Sequence, residues 1–402
     1  MNRLSSAADY SRIWGITLPD VLKPYTLRAE AFFAREGTAI TDAKRLRRLN
    51  DRYHLFRSRQ KEIFAAAEEI SGDEGLLLYC YFLYLILYDR LCCDPSLPLP
   101  EAPDRNCAAT DFAPLFSFLF FTEAAAANME RRGLPFQVIS DTLHGFEAEM
   151  DDYELLYGRP GVRIYINWFF LFISGELLRI GRLVYQIGVL KDPIRVYRKG
   201  TDVRILWDGA QLHRGGMRFG AAGCTEPDGM YEAVITEEGD CVTGYSVNAL
   251  GECDGRKVTL QGYREILRKG DNIISLHIPA LEPFSPETCD ASLAEALQLL
   301  RRCYPDHPFR AFHCHSWMLE PRLREISGKD SNITRFCSRF TTYATKSAGL
   351  DILTYLFHVQ KTTPLQELPE DSSLQRSAKA YLLSGHHLYE KSGIFPVPED
   401  PV

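Results

Sequence analysis

The chain has 402 residues, 46% of them hydrophobic and 25% charged, which suits a globular protein with room for two domains. A net charge of −7 and a pI near 5.9 argue against a nucleic-acid-binding protein, because phosphate partners demand a basic surface. The eleven cysteines form no Cys-x-x-Cys pair, and MNRLSSAADYSRIWG lacks the apolar core of a signal peptide, so reduced thiols in a cytoplasm are expected.

Residues 1–158 read as a helical domain. The basic cluster Lys44–Arg48 suits a solvated helix face. HLFRSRQKEIFAAAEEIS (54–71) has few breakers and stops at Gly72. EGLLLYCYFLYLILYDRL (74–91) is apolar on nearly every face, which places it in the middle of a bundle. Its apolar run, Leu76–Tyr88, is too short for a bilayer, so no membrane association is expected. A proline-rich loop over 92–106 leads to a helix over 110–132, and another runs from 135 to a stop at Gly158.

From residue 159 onward the pattern becomes mixed. IYINWFFLFISGELL suits one more helix, and then strand signals dominate. LLRIGRLVYQIG, IRVYR (194–198), VRILW (203–207) and RKVTL (256–260) read as strands. MYEAVITEEGDCVTGYSV (230–247) reads as a hairpin turning at Glu238-Gly239-Asp240. Arg179 and Arg182 suit ordinary salt bridges, with an anionic ligand as the sharper alternative. The glycine-rich run HRGGMRFGAAG (213–223) has no clear following helix, so a surface loop is the expectation.

The richest stretch runs from Gly270 to Phe340. GDNIISLHIP (270–279) is a buried strand ending at Pro279. FSPETCDASLAEALQLLRRCYP (284–305) is a helix with Ser285 as N-cap, Pro286 at its first position, and Arg301 and Arg302 near its end. FRAFHCHSWML (309–319) is a second strand, and DSNITRFCSRF (330–340) opens a short helix. Two strands joined by one helix are expected to lie parallel, with ligands beyond their carboxyl ends. LPEDSSLQRSAKAYLLSGHH has Ser372 or Ser373 as a cap and predicts a docked helix as the last element.

SLHIP, the Ser-Pro-Glu helix start, CHSW and SNITRF together resemble the GNAT-like C-terminal domain of a bacterial N-acyltransferase family. The flanking segments 175–188 and 368–395 extend the resemblance over roughly residues 160–395, and the helical region resembles the family's N-terminal domain. The resemblance implies an α+β or α/β fold: a helical domain at 1–158, then a GNAT-like mixed sheet with flanking helices at 159–402. It also implies acyl-coenzyme A, such as acetyl-coenzyme A, as co-substrate, held where two adjacent parallel strands splay. By that analogy Leu276, Ile278 and Pro279 meet the pantetheine arm, and Ser285 at the helix start meets the pyrophosphate. Asn332 and Phe336 match positions that commonly touch the cofactor arm, although Asp330 or Ser331 as cap, with Asn332 supporting the turn, explains the same motif. The 280–288 loop departs from the pattern. It carries Glu282 and Glu287 but no Lys, Arg or Gly, and carboxylates there oppose a diphosphate.

Acyl transfer to an amine needs a base for the amine proton and a proton for the leaving thiolate. The candidates are His315, His277 and Cys314, with His313 and Ser316 beside them. Alternation along a strand puts His313 and His315 on one face and Cys314 and Ser316 on the other. His315 is the first choice, being nearer the carboxyl end than His313. Cys314, as proton donor or acyl carrier, competes with an ordinary buried thiol. No metal is expected, since His-x-Cys-x-His cannot aim all three donors at one ion; a His313/His315 pair with His277 across the strands is the weaker alternative, and no Walker, GxGxxG, HExxH or GxSxG motif occurs. The preferred reading is an N-acyltransferase acting on a small-molecule amine by direct attack in a ternary complex. Its rival is a non-catalytic GNAT-like binding or scaffolding protein.

Overall fold

The computed structural model describes residues 7–101, 103, 108–162, 166–215, 228–253, 255–279 and 284–398. The chain divides into two compact units, Met1–Arg179 and Ile180–Val402.

The first unit is helical. Its centre is Glu74–Cys92, capped by Asp73, which accepts the Leu76 N–H at 3.1 Å. Leu76 to Leu83 and Leu85 to Leu87 are all buried, so this helix is enclosed as its all-round apolar sequence demands. It and the Ala109–Arg131 stretch are long and apolar enough to cross a membrane by length and composition, yet 61% and 72% of their most apolar windows lie buried inside the protein. Lys23–Glu36, Gln60–Ser71 and Ala113–Leu119 pack on Glu74–Cys92. The Tyr81 hydroxyl joins two chain segments, donating to the Gly37 carbonyl and accepting from the Ile40 N–H, both at 3.1 Å.

Three details differ from the sequence expectation. The helix expected from His54 begins only at Gln60, because His54 adopts a left-handed conformation (φ 53°) that closes the Ala43–Tyr53 helix. The 110–132 helix breaks into Ala113–Leu119 and Thr122–Arg131. Within the basic cluster, Arg45 is buried and donates to the Leu119 carbonyl at 2.9 Å.

The second unit is built on a mixed sheet. The strands of that sheet, numbered within it, are β1 (Leu177–Ile180, of which Ile180 alone falls in this unit), β2 (Leu183–Val189), β3 (Asn272–His277), β4 (Ala311–Ser316), β5 (Thr341–Ala344) and β6 (Lys391–Pro396). Their order is β1-β2-β3-β4-β6-β5. β3 and β4 are parallel, while β2–β3, β4–β6 and β5–β6 are antiparallel. The parallel pair is joined by the crossover helix Pro286–Cys303, as one connection between parallel neighbours requires.

That helix buries Cys289, Leu293, Ala296 and Leu300. The Ser292 hydroxyl pins it by accepting the Leu183 N–H (3.2 Å) and donating to the Ile180 carbonyl (2.5 Å). The bonded turn is tight: Gly181 has φ +58°, and a Cβ there would lie 3.3 Å from the Ser292 side chain. Smaller antiparallel sheets, such as Arg264–Arg268 with Ile194–Lys199 and Asp202–Trp207, supply Val196, Ile205, Trp207 and Leu267 to a core that includes Ile273, Ala311, Tyr343 and Ile394.

The hairpin at Gly239-Asp240 joins Thr236–Glu238 to Cys241–Tyr245, but Met230–Ala233 pairs with Ala210–His213 instead. The expected C-terminal helix forms at Ser373–Leu383 with Ser372 as cap, but it is not last. β6 follows and inserts between β4 and β5, so the final described segment completes the sheet.

Candidate active site

The ladder between β3 and β4 covers three residue pairs: Ile274 with Phe312, Ser275 with His313, and Leu276 with Cys314. It stops there, although both strands continue. His277 still pairs with Val184 of β2, and His315 and Ser316 still pair with Ser392 and Lys391 of β6. Each strand therefore follows its outer neighbour once the shared ladder ends. This leaves the inward-facing backbone groups at the carboxyl end of the parallel pair outside that ladder.

Residues paired across a sheet point to the same face. Ser275 and His277 on β3 therefore share a face with His313 and His315 on β4, and with Gln186 and Ser392 on the outer strands. His277 Nε2 lies 3.0 Å from Gln186 Oε1, Ser275 Oγ lies 3.4 Å from His313 Nδ1, and His315 Nδ1 lies 3.3 Å from Ser392 Oγ. Behind them the Tyr343 hydroxyl donates to Asp192 at 2.8 Å, and that carboxylate lies 4.0 Å from His313 Nε2. Three imidazoles thus sit on one polar face, opposite the face that carries the crossover helix.

Their environments differ. Burial, reinforced by the neighbouring His313 and His315, lowers the His277 pKa to about 4. Burial likewise lowers His313 to about 4 against the opposing pull of Asp192. Both rings are therefore neutral at pH 7, whereas His315 is exposed at the strand end. Cys314 is 1% exposed on the other face, and burial pushes its thiol up to about 12. A thiol in that state holds its proton at neutral pH and has no open path to a substrate.

The residues assigned by analogy to the co-substrate fall into two groups. Leu276 is buried in the sheet, and Ile278 packs against the cluster that holds Trp317 and Met318. Phe336 is fully buried, in an edge contact with Phe284 at 5.2 Å. Asn332 takes the first position of the Asn332–Cys337 helix, capped by Ser331, and its amide donates to the Phe284 carbonyl at 2.6 Å. Pro279 presents its carbonyl to the Arg182 guanidinium at 2.9 Å, and that guanidinium also stacks over Phe284. Asn332 and Arg182 thus hold the two described ends of the 279–284 connection. Glu282 lies outside the described residues.

The crossover helix start is more closed than the analogy implies. Ser285 and Thr288 form a reciprocal capping box, Pro286 has no N–H, and the Thr288 N–H is committed to Ser285 Oγ at 3.2 Å. Its acidic first turn is, however, matched by arginines from the 332–339 segment. Arg335 lies 3.5 Å from Glu287, and Arg339 lies 2.5 Å from Asp290. Positive charge absent from the loop's own sequence is therefore supplied in space.

The fold and the site motifs agree with a comparison of sequences. Residues 177–395 match the GNAT-like C-terminal domain, and residues 44–175 match the N-acyltransferase N-terminal domain. The first match alone spans more than half of the chain. The protein belongs to the GNAT-like N-acyltransferase family.

Among solved structures, this family member is similar to an acyltransferase in complex with decanoyl-CoA. The two share 20% identity and a TM-score of 0.62, over 98% of this chain and 100% of the other. The same figures hold for a complex with decanoyl-CoA and teicoplanin, and a complex with CoA and 10C-teicoplanin gives 19% and 0.63. At that identity the likeness is one of fold. No curated protein matches the sequence.

Strand alternation groups His313 with His315, whereas Gln186, Asp192, Tyr343 and Ser392 come from other strands and turns and carry no local signal. Arg182 was visible only as a cation in a supposed strand. The glycine before it, in LLRIGRL, is the signal that a turn places it differently.

Proposed function

We propose that this GNAT-like protein transfers an acyl group from an acyl-coenzyme A to a small-molecule amine, by direct attack within a ternary complex. The observation that carries the reading is the early end of the β3–β4 ladder after Leu276 and Cys314, with both strands continuing beyond it. An ending of this kind leaves inward-facing backbone groups of His277 and Ile278 to an extended pantetheine arm, while the Pro279 carbonyl is already taken by Arg182. The acyl-CoA complexes of the structurally similar acyltransferases support the same donor class.

In this proposal the diphosphate meets Arg335 and Arg339 more than helix amides, since the capping box occupies the helix start. The amine attacks the thioester carbonyl, and His315 takes the amine proton because it is exposed at the strand end and can exchange with solvent. The C–N bond forms, the C–S bond breaks, and the leaving thiolate recovers a proton. His277, neutral and oriented by Gln186, acts as a hydrogen-bonding partner rather than the base. Cys314 has no role in this scheme.

The closed helix start favours one second reading, a GNAT-like shell that binds a small molecule without catalysis. Thermal unfolding with coenzyme A, acetyl-coenzyme A and decanoyl-coenzyme A separates the two. Stabilisation by the acyl donors is expected of the transferase, and no shift with any of them supports the second reading.

A further inference from the structure

Acyl transfer leaves a thiolate that needs a proton, and the strand that carries His315 holds a second polar group one residue further on. Ser316 is the last residue of β4. Successive residues of a strand point to opposite faces, so Ser316 shares the face of Leu276, Cys314 and the crossover helix, not that of the histidines. Like His315, it lies beyond the last rung that β3 and β4 share, and it pairs with Lys391 of β6. His315 and Ser316 therefore end β4 with one polar side chain on each face.

The direction of the Ser316 hydroxyl follows from its partner. Its Oγ accepts the Met318 N–H at 3.1 Å and so caps the Trp317–Leu319 turn. Capping uses a lone pair of the oxygen and leaves the hydroxyl proton to donate. That proton has no acceptor among the described residues, and Ser316 is only half-buried. Other proton carriers on this side are committed. On the Asn332–Cys337 helix, which packs against the same turn, Cys337 Sγ donates to the Met318 carbonyl at 2.8 Å and Thr334 Oγ1 to the Gly328 carbonyl at 2.9 Å. The Ser331 cap donates to Thr334 Oγ1 at 2.9 Å, and Cys314 is 1% exposed.

We propose that Ser316 is a further catalytic residue, whose hydroxyl donates to the sulfur of the leaving group; the assignment rests on the acyl-transfer reading above. The amine attacks from the His315 face, the C–N bond forms, and the amine proton passes to His315. As the C–S bond breaks, its electron pair stays on sulfur. The Ser316 hydroxyl donates to that sulfur, and a solvent water delivers the proton through Oγ, so the thiol leaves neutral. Base and proton donor thus act from opposite faces of one strand end, and neither proton crosses the sheet.

The test is ultraviolet titration of the coenzyme A thiol bound to the full-length protein, in wild type, Ser316→Ala and Ser316→Thr. A hydrogen bond to the charged form favours it, so the bound thiol should ionise about one pH unit lower in wild type than in Ser316→Ala, about a tenfold difference in ionisation constant. Ser316→Thr, which keeps the hydroxyl, should restore the wild-type value. In turnover of decanoyl-coenzyme A with primary amines, Ser316→Ala should lower kcat by about tenfold or more while KM for the donor stays within about twofold. Should Ser316→Ala fail to fold by circular dichroism, Ser316→Gly takes its place, because glycine is well tolerated at a cap. Equal ionisation of the bound thiol in wild type and Ser316→Ala overturns the assignment and leaves the acyl-transfer reading standing. Coenzyme A and its acyl esters that fail to stabilise the wild type against thermal unfolding overturn both.

Discussion

His277 and His315 occupy the next positions in register after Leu276 and Cys314, yet they lie outside the ladder that joins their strands. Each is held instead from the outside, His277 by Gln186 and His315 by Ser392. The two rings thereby sit just beyond the last shared rung of the parallel pair, and the functional account depends on that placement.

If His315 is the base, His315→Gln should lower acyl transfer by roughly 10²- to 10⁴-fold while leaving donor binding close to wild type. The readout is coenzyme A thiol release from decanoyl-coenzyme A with a panel of primary amines, alongside thermal shift by the same donor. A loss of donor binding in step with the loss of rate would instead make His315 a binding residue.

Cys314 should be dispensable for chemistry. Cys314→Ala is expected to keep transfer within about twofold and to cost on the order of 1 kcal/mol in urea unfolding for the packing it removes. The wild-type thiol should also resist iodoacetamide in the folded state, since burial keeps it protonated. Rapid native-state alkylation at Cys314 would contradict this.

The buried histidines set a pH dependence of stability. His277 and His313, with pKa values lowered to about 4, bind fewer protons folded than unfolded between about pH 4 and the ordinary histidine value near 6.5. The stability they contribute is complete above about pH 6.5 and is lost as pH falls towards 4. Each adds a slope of up to about 1.4 kcal/mol per pH unit in that window. Urea unfolding at pH 7.5, 6 and 5 should show this fall. The double variant His277→Gln with His313→Gln should flatten it.

A buried charge group at the start of β6 offers a fourth test. Lys391 is 1% exposed, and its Nζ lies 3.9 Å from both Glu252 and Glu320; burial lowers its pKa and raises that of Glu320. Arg322 also lies 2.8 Å from Glu252 and 3.2 Å from Glu320, so Lys391→Ala leaves two carboxylates sharing one cation and should cost up to about 3–5 kcal/mol. Lys391→Met combined with Glu320→Gln should recover much of that loss by urea unfolding, because both charges then leave the interior.

The strand–helix–strand unit was readable from residues because its signals are local. Ser285, Pro286 and the closing arginines mark the helix, and apolar runs mark the strands on either side. β6 was not readable. KSGIFP follows a helix and two histidines with no alternation strong enough to announce a strand, and it becomes one only because β4 and β5 both need a partner. The alternation rule placed His313 and His315 together correctly. Their second partners, Asp192, Gln186 and Ser392, arise from pairing across strands, which no local pattern encodes. The acidic 280–288 loop looked hostile to a diphosphate for the same reason: Arg335 and Arg339 lie some fifty residues further on, and only the packing of two helices brings them to Glu287 and Asp290.

The most direct measurement is thermal unfolding of the wild-type protein against coenzyme A, acetyl-coenzyme A and decanoyl-coenzyme A. A donor present at about 100 times its dissociation constant should stabilise the fold by roughly 2.7 kcal/mol. The account predicts a shift with at least one acyl donor, diminished when Arg335 and Arg339 are both replaced by Gln. No shift with any of the three at millimolar concentration would contradict it and leave the parting of β3 and β4 to some other ligand.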